Sequence, residues 1–157
     1  MSQFLVALSY WLHALATAIF IGYYLLLSLI YLPVLAKPEP ATVTGTTLSQ
    51  ISERSRPWLY ASLLIFLLTG TYLTFADPNY LGFADFGNLW GILMLIKHLL
   101  IVGMIAIGFW FNAILHVGPR MSSNNPGPAV SQFRLYVSLM AISGIIVLLL
   151  TALAQVE

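Results

Sequence analysis

Lys97 and His98 stand side by side inside an apolar run, residues 89–116, with Met94 one helical turn before His98. A further histidine, His13, lies in the first apolar run of the chain. An ionisable group in hydrocarbon costs from a few to roughly 10 kcal/mol or more, so such side chains usually face a bundle interior and mark function. Three kinds of chemistry suit these residues. Two imidazoles could ligate a haem iron from opposite sides, or one could do so with Lys97 beside a propionate or as the second ligand. His13 and His98 with the Met94 thioether make a soft nitrogen and sulfur donor set for copper. Lys97 could also give or take a proton. A purely structural arrangement competes with all three: Lys97 snorkels to the headgroups and the histidines bond to Ser9, Thr17 or tyrosine hydroxyls.

The elements that must position these groups follow from composition. Of 157 residues, 60% are hydrophobic and 7% charged, where a soluble domain carries about 25% charged residues. The expectation is an all-α integral membrane protein, residues 1–157 forming a single four-helix domain. With no cysteine, disulfides and thiolate metal sites are excluded. The net charge of +1 gives no electrostatic reason to expect nucleic acid. The first 36 residues hold no Lys or Arg, so no cleaved signal peptide is expected. No lipidation signal is expected either, since there is no cysteine and Ser2 follows Met1.

Four apolar runs, residues 4–35, 58–75, 89–116 and 130–154, reach or approach the ~20 residues that span a bilayer. The first ends near Pro33, and Lys37-Pro38-Glu39-Pro40 forbids continuation. Residues 41–47 read as a loop and residues 48–56 as a short surface helix, with Pro57 at a bend or first turn. Residues 77–88 form a turn-rich aromatic connection, and residues 118–129 a polar turn.

Charge bias sets an expected orientation. Lys37, Arg54, Arg56, Arg120 and Arg134 fall in or beside the first and third connections, whereas the opposite side has Asp77, Asp85 and Glu157. The positive-inside rule makes those two connections cytoplasmic and puts both termini outside. His13, Lys97 and His98 then sit at one level, about 12–14 Å into their runs at 1.5 Å per residue. At about 100° per residue, Trp90, Met94, Lys97, His98, Met104, Gly108, Asn112 and His116 share one arc of the third run. Ile92, Leu95, Leu99, Val102, Ala106 and Trp110 occupy the opposite arc, which lipid would meet. On the first run Ser9, His13, Thr17, Tyr24, Ser28 and Tyr31 form a polar stripe. Both stripes are expected to face a shared interior, with Gly22, Gly108 and Gly144 allowing close helix approach.

Other candidates have plainer readings. His116 is expected to be interfacial and solvated. Of the methionines, only Met94 qualifies as a ligand, because of His98; the rest read as core filling. Asp77 and Asp85 could capture a cation, although Asp77-Pro78 is also an ordinary turn former. No Ser/His/Asp triad, phosphate-binding loop or zinc-protease motif is present, so a hydrolase is not expected.

The chain resembles the copper resistance protein D (CopD) family of bacterial membrane proteins. The matching features are Trp11-Leu12-His13 with Ala16 to Gly22 and Pro33, then Leu68-Thr69-Gly70, Trp90-Gly91 with Lys97 six residues on, Gly108 and Asn112, and Gly144 before Thr151-Ala152-Leu153. That resemblance implies a multi-pass protein of the bacterial plasma membrane handling copper in uptake or tolerance. The donor set read from the residues themselves, His13, His98 and Met94, would hold the metal, and a separate periplasmic copper-binding protein would be its donor. His13 and Lys97 are also similar in position to the histidine and lysine of the HemJ-type protoporphyrinogen oxidases. That likeness implies haem b held with His13 and Lys97 and, if the chain is an enzyme, a haem-dependent oxidoreductase; His98 joins them as a cofactor-binding candidate through its own place in the run. A small accessory subunit of a larger membrane complex is the third reading, suited by the lack of any sizeable extramembrane part.

Overall fold

In the computed structural model, which describes residues 3–35, 41–80, 82, 87–115 and 127–156, the apolar runs become four long helices. Helix α1 (Gln3–Leu26) continues through a π-helical stretch (Leu27–Tyr31) into a last α-helical turn (Leu32–Leu35). It is followed by α2 (Ala41–Ala76), α3 (Leu89–Leu115) and α4 (Gly127–Ala154). Among the described residues there is no strand. The stretches Gln3–Val34, Thr46–Ala76, Leu89–Phe109 and Ser131–Ala154 are each long and apolar enough to cross a membrane.

Two expectations about the backbone are corrected. Residues 41–47 are not a loop and residues 48–56 are not a separate surface helix: both merge into α2, with Pro57 in its interior. A mid-helix proline costs about 3 kcal/mol and one backbone bond. Burial of Leu48 in the core and the packing of Ile51 against it favour an unbroken helix. Hydroxyls bridge to the backbone on either side of the proline, from Ser55 to the Ile51 carbonyl at 2.6 Å and from Ser62 to the Leu59 carbonyl at 2.9 Å. The second correction concerns the α1 stripe, which does not extend to Tyr31. The π turn inserts one residue into the helical phase, so Leu27 and Leu32, five apart, are both buried and Tyr31 turns outward.

Helix α1 packs along α2 and on α4, and α4 packs on α3, whereas α3 hardly meets α1 or α2. In a bilayer, helices associate through close packing rather than through the hydrophobic effect, which favours small residues at contacts. Gly144 is such a residue: a Cβ there would lie 2.8 Å from Cγ2 of Ile21. Gly108 allows a milder approach, with Tyr136 Oη 3.6 Å from where its Cβ would be, and Gly22 meets no neighbour within 4 Å. The expected close contact at Gly22 is therefore absent.

The core joins Ile21, Tyr24 and Leu27 of α1 to Met104 of α3 and to Phe133, Tyr136, Val137 and Met140 of α4. Within it the Tyr24 and Tyr136 hydroxyls pair at 3.0 Å. These residues lie from mid-bundle toward the end that carries the first and third connections. Toward the end that carries the chain termini the helices part.

Candidate functional site

The parted helices enclose a cavity of about 720 Å³, lined by Tyr10, His13 and Thr17 of α1, Phe66 and Gly70 of α2, Met94, Lys97 and His98 of α3, and Thr151 of α4. Ala154 and Gln155 of α4 and Asp77 and Asn79 beyond α2 line it as well, so it lies in the terminal half of the bundle. All four residues singled out for chemistry thus border one space. The arc expected to face lipid on α3 does point outward at Ile92, Leu95, Leu99 and Val102, while Trp90 and Met104 are buried. His116, Met121, Lys37, Asp85 and Arg120, with the side chains of Trp110 and Asn112, lie outside the described residues.

His13 is held by α2, not by the Ser9, Thr17 or tyrosine hydroxyls of the purely structural alternative. Its ring stacks on Phe66 with centroids 4.5 Å apart and planes at 22°. Its Nδ1 lies 2.9 Å from Thr69 Oγ1. Thr17 instead donates to the carbonyl of His13 at 2.7 Å. Gly70 completes the slot, because a Cβ there would stand 3.1 Å from His13 Cε1.

Hydrogen-bond accounting assigns the tautomer. Thr69 has one hydroxyl proton, and it goes to the Ile65 carbonyl at 2.6 Å. With that proton on the Ile65 carbonyl, Oγ1 accepts from His13 Nδ1–H, which leaves the lone pair of the neutral ring on Nε2. The same reasoning covers His98, whose Nδ1 lies 2.6 Å from the Met94 carbonyl, a group that can only accept. Both imidazoles therefore keep the Nε2 lone pair available, the arrangement also found in metal-binding histidines whose other ring N–H is anchored.

Lys97 is half-buried on the cavity wall. Among the described residues it makes no hydrogen bond or ion pair, and Asp77 is the carboxylate whose charge reaches it. An ammonium at this depth needs water or an anion beside it, and the cavity has room for either. Asp77 itself accepts from the Asn79 backbone N–H at 2.9 Å, the turn role that its Asp-Pro context suggested. Among the described residues no group of three or more His, Asp or Glu side chains converges as a metal site.

Thr69, Gly70 and Phe66 surround the His13 ring and were passed over by the chemistry-first reading of the sequence. Thr69 is seven residues from the end of α2, about 10 Å in at 1.5 Å per residue. The depth argument that levelled His13 with Lys97 therefore also reaches Thr69.

Among the described residues the fold is all-helical, with four helices long and apolar enough to span a membrane and with two imidazoles and a lysine around one cavity. Compared with protein-family models, curated proteins and solved structures, the chain matches none.

Proposed function

We propose that the chain is a multi-pass membrane protein that holds a haem-class tetrapyrrole in its terminal half. His13 and His98 would hold the iron through Nε2, and Lys97 would pair with a carboxylate of the macrocycle. The observation that carries this reading is the size of the cavity, about 720 Å³, together with a preset imidazole and an unpaired ammonium on its walls. Pockets for organic ligands run to roughly 300–1,000 Å³, and a bare ion needs far less. Haem b bound there would supply one-electron chemistry, with the protein contributing ligation, orientation and charge. The positive-inside reading of Arg54, Arg56 and Arg134 supports placing the cavity toward the outer face of a bacterial plasma membrane.

A second reading, copper handling, is favoured by one observation: the Met94 thioether borders the same cavity as both imidazoles. Nitrogen and thioether donors suit Cu(I). The resemblance to the CopD family points the same way, with a soluble periplasmic protein as donor.

The test is the absorbance spectrum and metal content of protein purified in mild detergent. A Soret band that disappears in His13→Ala supports haem. Stoichiometric copper without haem absorbance supports the second reading. Absence of both, after addition of either ligand, overturns the two together.

A further inference from the structure

The seam between α2 and α3 is fastened at its two ends and open between them. Toward the connection end, Tyr60 of α2 stacks on Phe109 of α3 with centroids 6.4 Å apart. Toward the terminal end, Asn88 Nδ2 donates to the Asn79 carbonyl at 2.9 Å, while Asn88 Oδ1 accepts from the Gly91 N–H at 2.8 Å and so caps α3. Between these ties the two helices hardly touch.

Helical phase identifies the facing edges. Tyr60, Leu67 and Thr71 share one stripe of α2, at spacings of seven and four. His98, Val102 and Phe109 share one stripe of α3, at spacings of four and seven. Because Tyr60 meets Phe109, the stripes face each other. Leu67, Thr71, His98 and Val102 line the cavity and are at the same time exposed, Leu67 at 43% and Val102 at 62%. They are the rim of an opening. That rim lies within Thr46–Ala76 and Leu89–Phe109, the stretches suited to hydrocarbon, so it looks into the bilayer rather than into water. Behind it waits Lys97, which makes no direct ion pair among the described residues, Asp77 acting on it only through its charge from elsewhere on the cavity wall.

We propose that the α2–α3 seam is a lateral port through which a membrane-dissolved amphiphile carrying an anionic group, a carboxylate or phosphate, reaches Lys97. The inference rests on the reading of Lys97 as an anion partner in the proposed site, not on the identity of the macrocycle. An apolar tail remains among lipid chains at the port while the anion is paired inside. Such an ion pair removes the cost of an unaccompanied charge on either side.

The test uses the full chain in phosphatidylcholine nanodiscs with Trp90 as its sole tryptophan, Trp11, Trp58 and Trp110 being replaced by Phe. Trp90 is buried and lines the cavity, so a brominated ligand inside quenches it. Dibromostearate should quench at about tenfold lower concentration than dibromostearyl alcohol, the worth of one charge-assisted contact. Lys97→Met should erase that difference, and dibromo-phosphatidate should match the acid if a lipid headgroup is the source. The chain has no cysteine, so Leu67→Cys with Val102→Cys can be bridged by a bifunctional thiol reagent. Bridging should slow quenching by dibromostearate by about tenfold or more, if passage through the bridged seam costs at least 1.4 kcal/mol extra. Equal quenching by acid and alcohol overturns the anion partner, and unchanged kinetics after bridging overturn the port. A second copy covering the seam, seen as a dimer cross-linked through those cysteines, also overturns it. If the sole-tryptophan protein fails to fold, displacement of dibromostearate by stearate is read on the unsubstituted chain. His13→Ala separates this proposal from the haem reading, because it removes iron ligation and leaves the acid preference intact.

Discussion

Nδ1 of His13 stands 2.9 Å from Oγ1 of Thr69, and that contact decides which ring nitrogen is left for a ligand. Three residues of α2 cooperate in it. Phe66 sets the plane of the ring, Thr69 sets its tautomer, and Gly70 leaves the space it occupies.

Thr69→Val keeps the shape of the side chain and removes the acceptor. Loss of such an anchoring contact typically weakens ligation about 10–100-fold. Titration of the purified protein with haem should show that loss with helicity unchanged, and Thr69→Ser should restore most of the affinity. A valine variant that binds as tightly as the parent would remove Thr69 from the site.

Gly70→Ala places a methyl 3.1 Å from His13 Cε1, which the ring accommodates only by moving a few tenths of an ångström. A modest fall in affinity is expected. Gly70→Val should displace the ring and abolish the haem spectrum, while Gly103→Ala, with nothing within 4 Å and outside the cavity lining, should leave it unchanged. Absorbance spectra of the three variants at equal haem loading give the comparison.

At Gly144 the expected effect is on stability. A Cβ there would sit 2.8 Å from Cγ2 of Ile21, and overpacking of this kind costs about 1–3 kcal/mol. Gly144→Ala should unfold at lower SDS mole fraction than the parent, and Ile21→Ala in the same chain should recover part of the loss. Purely additive effects would show that the two residues are not coupled.

The buried hydroxyls of Tyr24 and Tyr136, 3.0 Å apart, give a third kind of test. Either Tyr24→Phe or Tyr136→Phe alone removes the bond between the two hydroxyls and should cost about 0.5–1.5 kcal/mol. The double substitution should cost less than the sum. Unfolding curves of the four proteins measure the coupling energy, and a double variant as unstable as the summed singles would contradict it.

Much of the architecture was legible because hydrophobic runs and helical phase leave a direct imprint on sequence. The outward arc of α3, Ile92 through Val102, followed from 100° per residue alone, and common depth brought His13 and Lys97 to one level. What stayed hidden depends on tertiary choice. The merging of residues 41–57 into α2 turns on burial of Leu48, which overrides a Thr-rich start and an internal proline. Tyr31 was misplaced because a π turn adds a residue to the phase without any residue type that announces it. The slot around His13 was obscured for another reason. Thr71 and Thr74 also bond to their own helix, at 2.8 and 2.9 Å, so a threonine on α2 does not declare which way it faces.

The π-helical stretch Leu27–Tyr31 gives α1 two rotational settings in one continuous rod. Before it, phase is set by the demand that His13 meet Thr69. After it, phase is set by burial of Leu32. The extra residue acts as a clutch between these two demands, so drift in the packing of the connection end need not turn the imidazole away from its slot. Deleting one residue within the stretch would remove about 100° of rotation, and one of the two halves would have to give up its partners.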